Sequence, residues 1–195
     1  MKRYELINYL IAVNNYKNYL EIGTQFGECF KSIGALYKEC VDPEKRFEGL
    51  THNMTSDEYF KQNDKNFDIV FVDGLHEEHQ TSVDIHNALS ILNPGGTIVV
   101  HDCLPHCEEF IQVCWNGTVF RSIIDLRFNN PDLTVRVVDT DCGCGIIQKN
   151  PTNNSSLYNK TSLNEAKQYS YYESHKKDLM NVISIEEFLD LYSNG

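Results

Sequence analysis

Hydrophobic positions along this chain follow two rhythms. Phe67 to Val72 and Gly96 to Val100 are short apolar runs closed by Asp73-Gly74 and His101-Asp102, the pattern of central parallel strands buried on both faces. Between them Ile85, Ala88, Leu89 and Leu92 fall on one helical face, so the stretch predicts a strand, helix, strand crossover. Residues 18 to 22 predict an earlier strand, Glu28 to about Leu36 the helix after it, and a second strand ending at Val41-Asp42-Pro43. A short third strand is expected near Glu48 to Leu50, then a helix to Gln62 capped by Thr55 or Ser56. Tyr4, Ile7, Leu10 and Ile11 predict an amphipathic helix within residues 1 to 16.

Further along, Val119, Ile123 and Leu126 predict a helix that stops before Asn129-Asn130-Pro131. Leu133 to Val138 and Gly145 to Gln148 predict a closing pair of strands joined by Asp139 to Gly143. Residues 150 to 161 are polar and linker-like, and the sequons Asn154-Ser155-Ser156 and Asn159-Lys160-Thr161 within them read as loop. Ser184 and Glu187 then have capping-box spacing ahead of a helix with Ile185, Phe188, Leu189 and Tyr192 on its apolar side. The expected organisation is a domain over 1 to 150 and a linker with a helical extension over 151 to 195. The terminal helices offer surfaces to cover the site or to form a homodimer.

At 195 residues one domain is the natural prior, and a 41% hydrophobic content argues against disorder. A net charge of −11 repels phosphate backbones, which argues against nucleic acid as the partner and for a small uncharged or cationic ligand. The N-terminus lacks a secretory pattern and no apolar run approaches a membrane span, so a cytoplasmic chain without a membrane partner is expected, its seven cysteines free thiols.

The strand ends carry the chemistry. In an open α/β sheet ligands bind beyond the carboxyl ends of the strands. Those ends read Glu21-Ile22-Gly23, Asp42, Asp73-Gly74-Leu75-His76 and His101-Asp102. After Glu21 the turn Gly23-Thr24-Gln25-Phe26-Gly27 lets backbone approach a ligand, which implies a nucleoside. The dinucleotide fingerprint needs a glycine two residues after the first, and Gln25 stands there instead. Asp42, 21 residues after Glu21, sits where a ribose diol is held; nicotinamide and S-adenosylmethionine (SAM) enzymes share that feature.

The turn Glu21-Ile22-Gly23-Thr24-x-x-Gly27 resembles motif I of class I SAM methyltransferases, particularly small O-methyltransferases. With residues 67 to 76, 93 to 102 and Trp115-Asn116-Gly117 in order, residues 18 to 148 resemble methyltransferase domain family 24, whose broader relatives tailor sugars and antibiotics. The resemblance implies an α/β, Rossmann-like class I methyltransferase fold: a mostly parallel seven-stranded sheet with an antiparallel edge hairpin and helices on both faces. It implies a SAM-dependent O-methyltransferase acting on a small-molecule or glycan hydroxyl. Glu21, Gly23, Thr24, Gln25 and Gly27 would then lie against the methionine part of SAM. Asp42 would hold the ribose, Thr55 and Ser56 would lie near the adenine, and Asp73, Gly74, Leu75 and His76 beside the sulfonium.

Metal-dependent relatives bind Mg²⁺ after the fourth and fifth strands, which maps the ligands to Asp73, His101 and Asp102. His101 replaces an acid there, and imidazole suits softer ions than Mg²⁺ or none. His101 or His76 could instead serve as the base that takes the acceptor's proton, with Asp102 beside them. Trp115 and Asn116 are candidates to line the acceptor pocket, with core packing the alternative for Trp115. Cys103, His106, Cys107, Cys142 and Cys144 suggest a soft-metal cluster, but no zinc spacing is met. Two further readings stay open: a nicotinamide-dependent oxidoreductase, and a SAM-binding module without turnover.

Overall fold

The computed structural model describes residues 1–112, 114–149 and 161–193. The linker expected over 150 to 161 lies outside them, except for Thr161. An eight-stranded sheet runs in the order β3-β2-β1-β4-β5-β7-β6-β8. Its strands are β1 (Asn18–Ile22), β2 (Tyr37–Asp42), β3 (His52–Asn53), β4 (Phe67–Val72), β5 (Leu92–Val100), β6 (Thr134–Val138), β7 (Cys144–Gln148) and β8 (Val182–Ile183). The helices are α1 (Arg3–Asn14), α2 (Glu28–Ser32), α3 (Ser56–Gln62), α4 (Glu78–Ser90), α5 (Val119–Asn129), α6 (Leu163–Ala166), α7 (Tyr169–Leu179) and α8 (Ile185–Tyr192).

Side-chain alternation divides the sheet's two faces. Leu20, Ile22, Val70, Val72, Ile98 and Val100 point to the core under α3, α4, α5, α6 and α7. Their neighbours Tyr19, Ile69, Phe71 and Val99 point to the core under α1, α2 and α8. Strands β1 to β5 pair in parallel, and β7 runs antiparallel to both β5 and β6. The expected edge hairpin is therefore present, and the carboxyl ends of β1, β2, β4 and β5 share one rim.

Several elements differ from expectation for local reasons. Helix α2 stops at Ser32, because Asn8 of α1 donates to the Ser32 carbonyl and accepts from the Gly34 N–H, both at 2.8 Å. The third strand begins at His52, because the Thr51 hydroxyl takes the Cys40 N–H and carbonyl, each at 2.8 Å, where a strand backbone would pair. Leu92 leaves the α4 face and opens β5 opposite Phe67. In α1 Leu6 is buried, while Tyr4 is exposed.

The C-terminal segment adds an eighth strand to the expected seven. Val182 and Ile183 pair in parallel with Val137 and Val138. Helix α8 has the expected capping box at Ser184 and Glu187. It docks beside α1, where Tyr9 packs edge-on against Phe188 at 5.4 Å and donates to the Leu189 carbonyl. That contact uses the apolar face inside the molecule, away from the strand-end rim.

Candidate active site

The four strand ends converge on one cleft of about 740 Å³, lined on one side by Glu21 to Phe26 and Asp42, and on the other by Asp73 to His76, His101 and Asp102. Every expected cofactor residue lines it except Gly27, which closes the loop beneath. Thr55 and Ser56 arrive at the start of α3, where Thr55 caps the helix in a reciprocal box with Glu58.

The loop after β1 is shaped by close backbone approach. Gly23 has φ +82°, and a Cβ there would overlap the carbonyl of Asp73. Its N–H donates to the Val41 carbonyl at 2.9 Å, and the Asp73 N–H donates to the Ile22 carbonyl at 2.8 Å, so the loop is pinned between β2 and β4. Asp42 clamps it from the side: one carboxylate oxygen accepts the N–H groups of Thr24 and Gln25 at 3.0 and 2.8 Å, and the other accepts that of Glu44 at 2.8 Å. Gly27 donates to Thr24 at 2.8 Å. The amides of Gly23, Thr24, Gln25 and Gly27 are thus all consumed by protein. A pyrophosphate needs such amides free.

Glu21 is buried beneath this loop and accepts a hydrogen bond from the Tyr19 hydroxyl. Burial pushes its pKa up to about 8, against the opposing effect of that bond. At the far end Asp84 of α4 is also buried, and desolvation raises it to about 6 despite hydrogen bonds from Ser56 and Gln80. Asp84 and Gln80 were not anticipated from the sequence. A usable signal existed, since Asp84 sits on the same helical stripe as Ile85 and Ala88 and is buried with them.

Beyond β4 and β5 the character changes to a cluster of opposite charges. His101 Nδ1 lies 3.0 Å from Asp102 Oδ2 and 3.2 Å from Asp73 Oδ1, and His76 Nε2 lies 3.4 and 3.5 Å from the same two carboxylates. Burial opposes charging His101, but Asp73 and Asp102 raise its pKa to about 10, and they raise His76 in the same direction. Burial likewise opposes the Asp73 charge, yet His101, His76 and Arg3 hold it well below the usual carboxylate range. At neutral pH His101 therefore carries its proton, contrary to the near-neutral titration a general base would need.

Two residues absent from the sequence reading complete the cluster. Arg3 of α1 reaches in, with Nη1 3.2 Å from Asp141 and 3.3 Å from His101 Nε2, and Nε 3.8 Å from Asp73. Asp141, in the β6–β7 turn, also accepts the Arg3 N–H at 2.8 Å. Asp102 itself has φ +59°, a left-handed conformation costly for a residue with a Cβ.

Asn116 and Trp115 are not among the residues that line the cleft. Asn116 is buried and donates to Asp102 Oδ1 at 3.0 Å, so it orients that carboxylate. Trp115 is 56% exposed, with its ring against Phe110, while its carbonyl accepts from His76 Nδ1. Gly117, φ +59°, lets this segment press on the His76 carbonyl, where a Cβ would overlap. Among the described residues the one group whose metal-ligating atoms converge, within 4.8 Å, is Asp73, His76 and Asp102. The cysteines and His106 do not gather into a soft-metal cluster; the seven cysteines are free thiols.

With the geometry in place, residues 35–103 match the sequence model of a methyltransferase domain, family 24. No curated protein matches the chain. Among solved structures it is similar to a putative caffeoyl-CoA O-methyltransferase from Staphylococcus aureus, at 20% identity and TM-score 0.57 over 75% of this chain and 82% of that one. It is also similar to the O-methyltransferase of Bacillus cereus in complex with S-adenosylhomocysteine (SAH), at 14% identity and TM-score 0.55 over 74% and 79% of the two chains. A third is the O-methyltransferase TomG of Streptomyces achromogenes in complex with SAM, at 18% identity and TM-score 0.57 over 74% and 78%. The fold is that of a class I methyltransferase. In this methyltransferase fold the matched stretch runs from before β2 to just past β5, and so contains Asp42, Asp73, His76, His101 and Asp102. No helix among the described residues is long and apolar enough to cross a membrane.

Proposed function

We propose that the protein is a SAM-dependent O-methyltransferase acting on a small-molecule or glycan hydroxyl. The observation that carries this reading is the convergence of the glycine loop, Asp42, Asp73 and Asp102 on one acidic cleft in a methyltransferase fold. SAM, when bound, supplies an electrophilic methyl group on a sulfonium cation. Glu21 and the Gly23 to Gly27 loop would face its methionine part, Asp42 its ribose, Thr55 and Ser56 its adenine, and Asp73 to His76 the sulfonium. The consumed amides of the loop favour this nucleoside over a dinucleotide, whose pyrophosphate would find no free donors among Gly23, Thr24, Gln25 and Gly27.

Catalysis would rest mainly on placing the acceptor oxygen in line with the methyl group. Asp102, held by Asn116 and facing His101 and His76, is the side chain that would orient the acceptor hydroxyl. His101 would accept the hydroxyl proton only after losing its own. A divalent ion at Asp73 and Asp102 would instead make that hydroxyl more acidic. We further propose a cytoplasmic protein, in keeping with its free thiols. A homodimer would use the outer face of α8, where Leu191 is exposed.

Calorimetric titration with SAM, SAH and NAD⁺ tests the reading. Micromolar binding of both adenosyl ligands without NAD⁺ is expected. Binding of NAD⁺ alone, or of none of the three, would overturn it. Adenosyl binding without transfer to any hydroxyl in an acceptor screen would favour a binding module.

A further inference from the structure

The cleft is strongly acidic, with eight carboxylate side chains in its lining against two guanidinium groups, Arg3 and Arg46. Arg46 is committed on the Asp42 side, where its Nε donates to Glu44 at 2.9 Å and its guanidinium lies over the Phe26 ring at 5.6 Å. Arg3 is placed differently. It opens α1, whose Leu6, Ile7 and Leu10 are fully buried, and its own N–H is held by Asp141 at 2.8 Å, so its side chain starts from a fixed point.

The contacts of that side chain run through Nε and Nη1. Nη1 lies 3.2 Å from Asp141 and 3.3 Å from His101 Nε2, and Nε lies 3.8 Å from Asp73 Oδ2. Among the described residues Nη2 has no hydrogen-bond partner, and the side chain remains 31% exposed at the cleft wall. The Asp73 contact is longer than a hydrogen bond, so guanidinium and carboxylate stand side by side as a loose pair. The Asp73 carbonyl backs onto Gly23, and the Arg3 charge acts on Glu21 and Cys29, which places the pair where β1 runs into its turn.

This end of the cleft is poor in donors for an anion. The N–H groups of Gly23, Thr24, Gln25 and Gly27 are taken by protein acceptors, and Glu28 at the start of α2 adds a negative charge. A carboxylate carried into such surroundings needs a cation beside it.

We propose that Arg3 recognises the amino-acid end of SAM, its guanidinium taking the α-carboxylate. A planar guanidinium with Nη2 uncommitted meets a carboxylate through two parallel N–H donors, the strong form of this contact. Asp73 beside it suits the α-ammonium of the same zwitterion. The inference rests on the methyl-transfer reading and deepens it: Arg3 selects adenosyl ligands with an intact amino acid over those that have lost it.

Calorimetry on the full chain compares SAM with decarboxylated SAM, which lacks only the carboxylate, and SAH with 5′-methylthioadenosine, which lacks the amino acid. The parent should bind SAM at least about tenfold tighter than decarboxylated SAM, although the greater positive charge of the latter suits an acidic cleft. Arg3→Gln should weaken SAM and SAH about 10–100-fold and leave the two ligands without a carboxylate within about threefold, so that the preference disappears. Arg3→Lys, which keeps the charge without the fork, should fall between. If circular dichroism shows Arg3→Gln unfolded, Arg3→Lys and the parent's own preference carry the test. Equal binding of SAM and decarboxylated SAM by the parent, no loss in the variants, or the same loss with and without the carboxylate would each overturn the proposal and leave methyl transfer standing. A parent that binds none of the four ligands overturns both.

Discussion

On the β1–β2 side of the cleft, Asp42 spends its carboxylate on three backbone N–H groups, and Glu21 lies buried beside a tyrosine hydroxyl with its pKa pushed up to about 8. On the β4–β5 side, Asp73 and Asp102 face two imidazoles and, for Asp73, the Arg3 guanidinium, none of them anchored by a backbone amide through its carboxylate. The first side is preorganised by main-chain hydrogen bonds formed within two neighbouring turns. The second is assembled by charge from α1, β4, β5 and the β6–β7 turn. A rigid side suits recognition of a constant ligand group, and a side held by exchangeable charges suits a site where protons or cations move.

The junction between the two sides is the place to break the comparison most severely. Gly23→Ala would drive a Cβ into the Asp73 carbonyl at a φ of +82°, and a loss on the order of 3 kcal/mol or more of folding stability is expected, read by urea denaturation. Retained stability would mean that the two sides are not locked through this contact.

Asp102→Asn should separate the sides functionally. It keeps the shape but removes charge from the reaction end, so methyl transfer should fall about 10²–10⁴-fold while SAH affinity stays within a few-fold. Equal loss of both would make the charge cluster part of cofactor recognition.

Asp42→Ala acts on the other side. Charge-assisted bonds to backbone N–H groups are worth about 1.5–3 kcal/mol each, so freeing the loop should weaken SAH binding roughly 10–100-fold. The turnover of SAM-saturated enzyme should change little, and a split of Kd against kcat is the readout.

The smallest effect expected is that of Glu21→Gln, seen in the pH dependence of the unliganded protein. A folded pKa of about 8, above the ordinary value of 4.5, means that the protonated form is favoured by folding. Its contribution is complete below pH 4.5 and is lost as pH rises through about 8, where the buried carboxylate must ionise. The Tm of the parent should therefore drop across that window, and the Gln variant, which cannot ionise, should drop less. Parallel curves would show that Glu21 does not titrate there.

Legibility in the sequence followed the same division. The Glu21 to Gly27 turn and the Asp42 strand end lie within contiguous stretches whose spacing carries their geometry, so their placement at one rim could be read directly. Arg3 and Asp141 stand 138 residues apart, and nothing in either neighbourhood indicates that they meet over His101. Trp115 reads from the sequence as a candidate to line the acceptor pocket, and in the structure its backbone carbonyl contacts His76. The short helix α2 and the late start of β3 escaped for a related reason: Asn8 and Thr51 terminate or replace backbone pairing by side-chain hydrogen bonds from other elements.

The residue pattern by itself determined the alternation of strands and helices and the acids at the strand ends, because periodicity and turn chemistry are local. Only the tertiary structure decided that the C-terminal segment supplies β8, that Asp42 clamps the glycine loop, and that His101 is held charged between two carboxylates. Those outcomes depend on burial and on charges brought together across the chain. Their energies are set by the low dielectric of the folded interior, which no stretch of sequence experiences until the whole chain has packed.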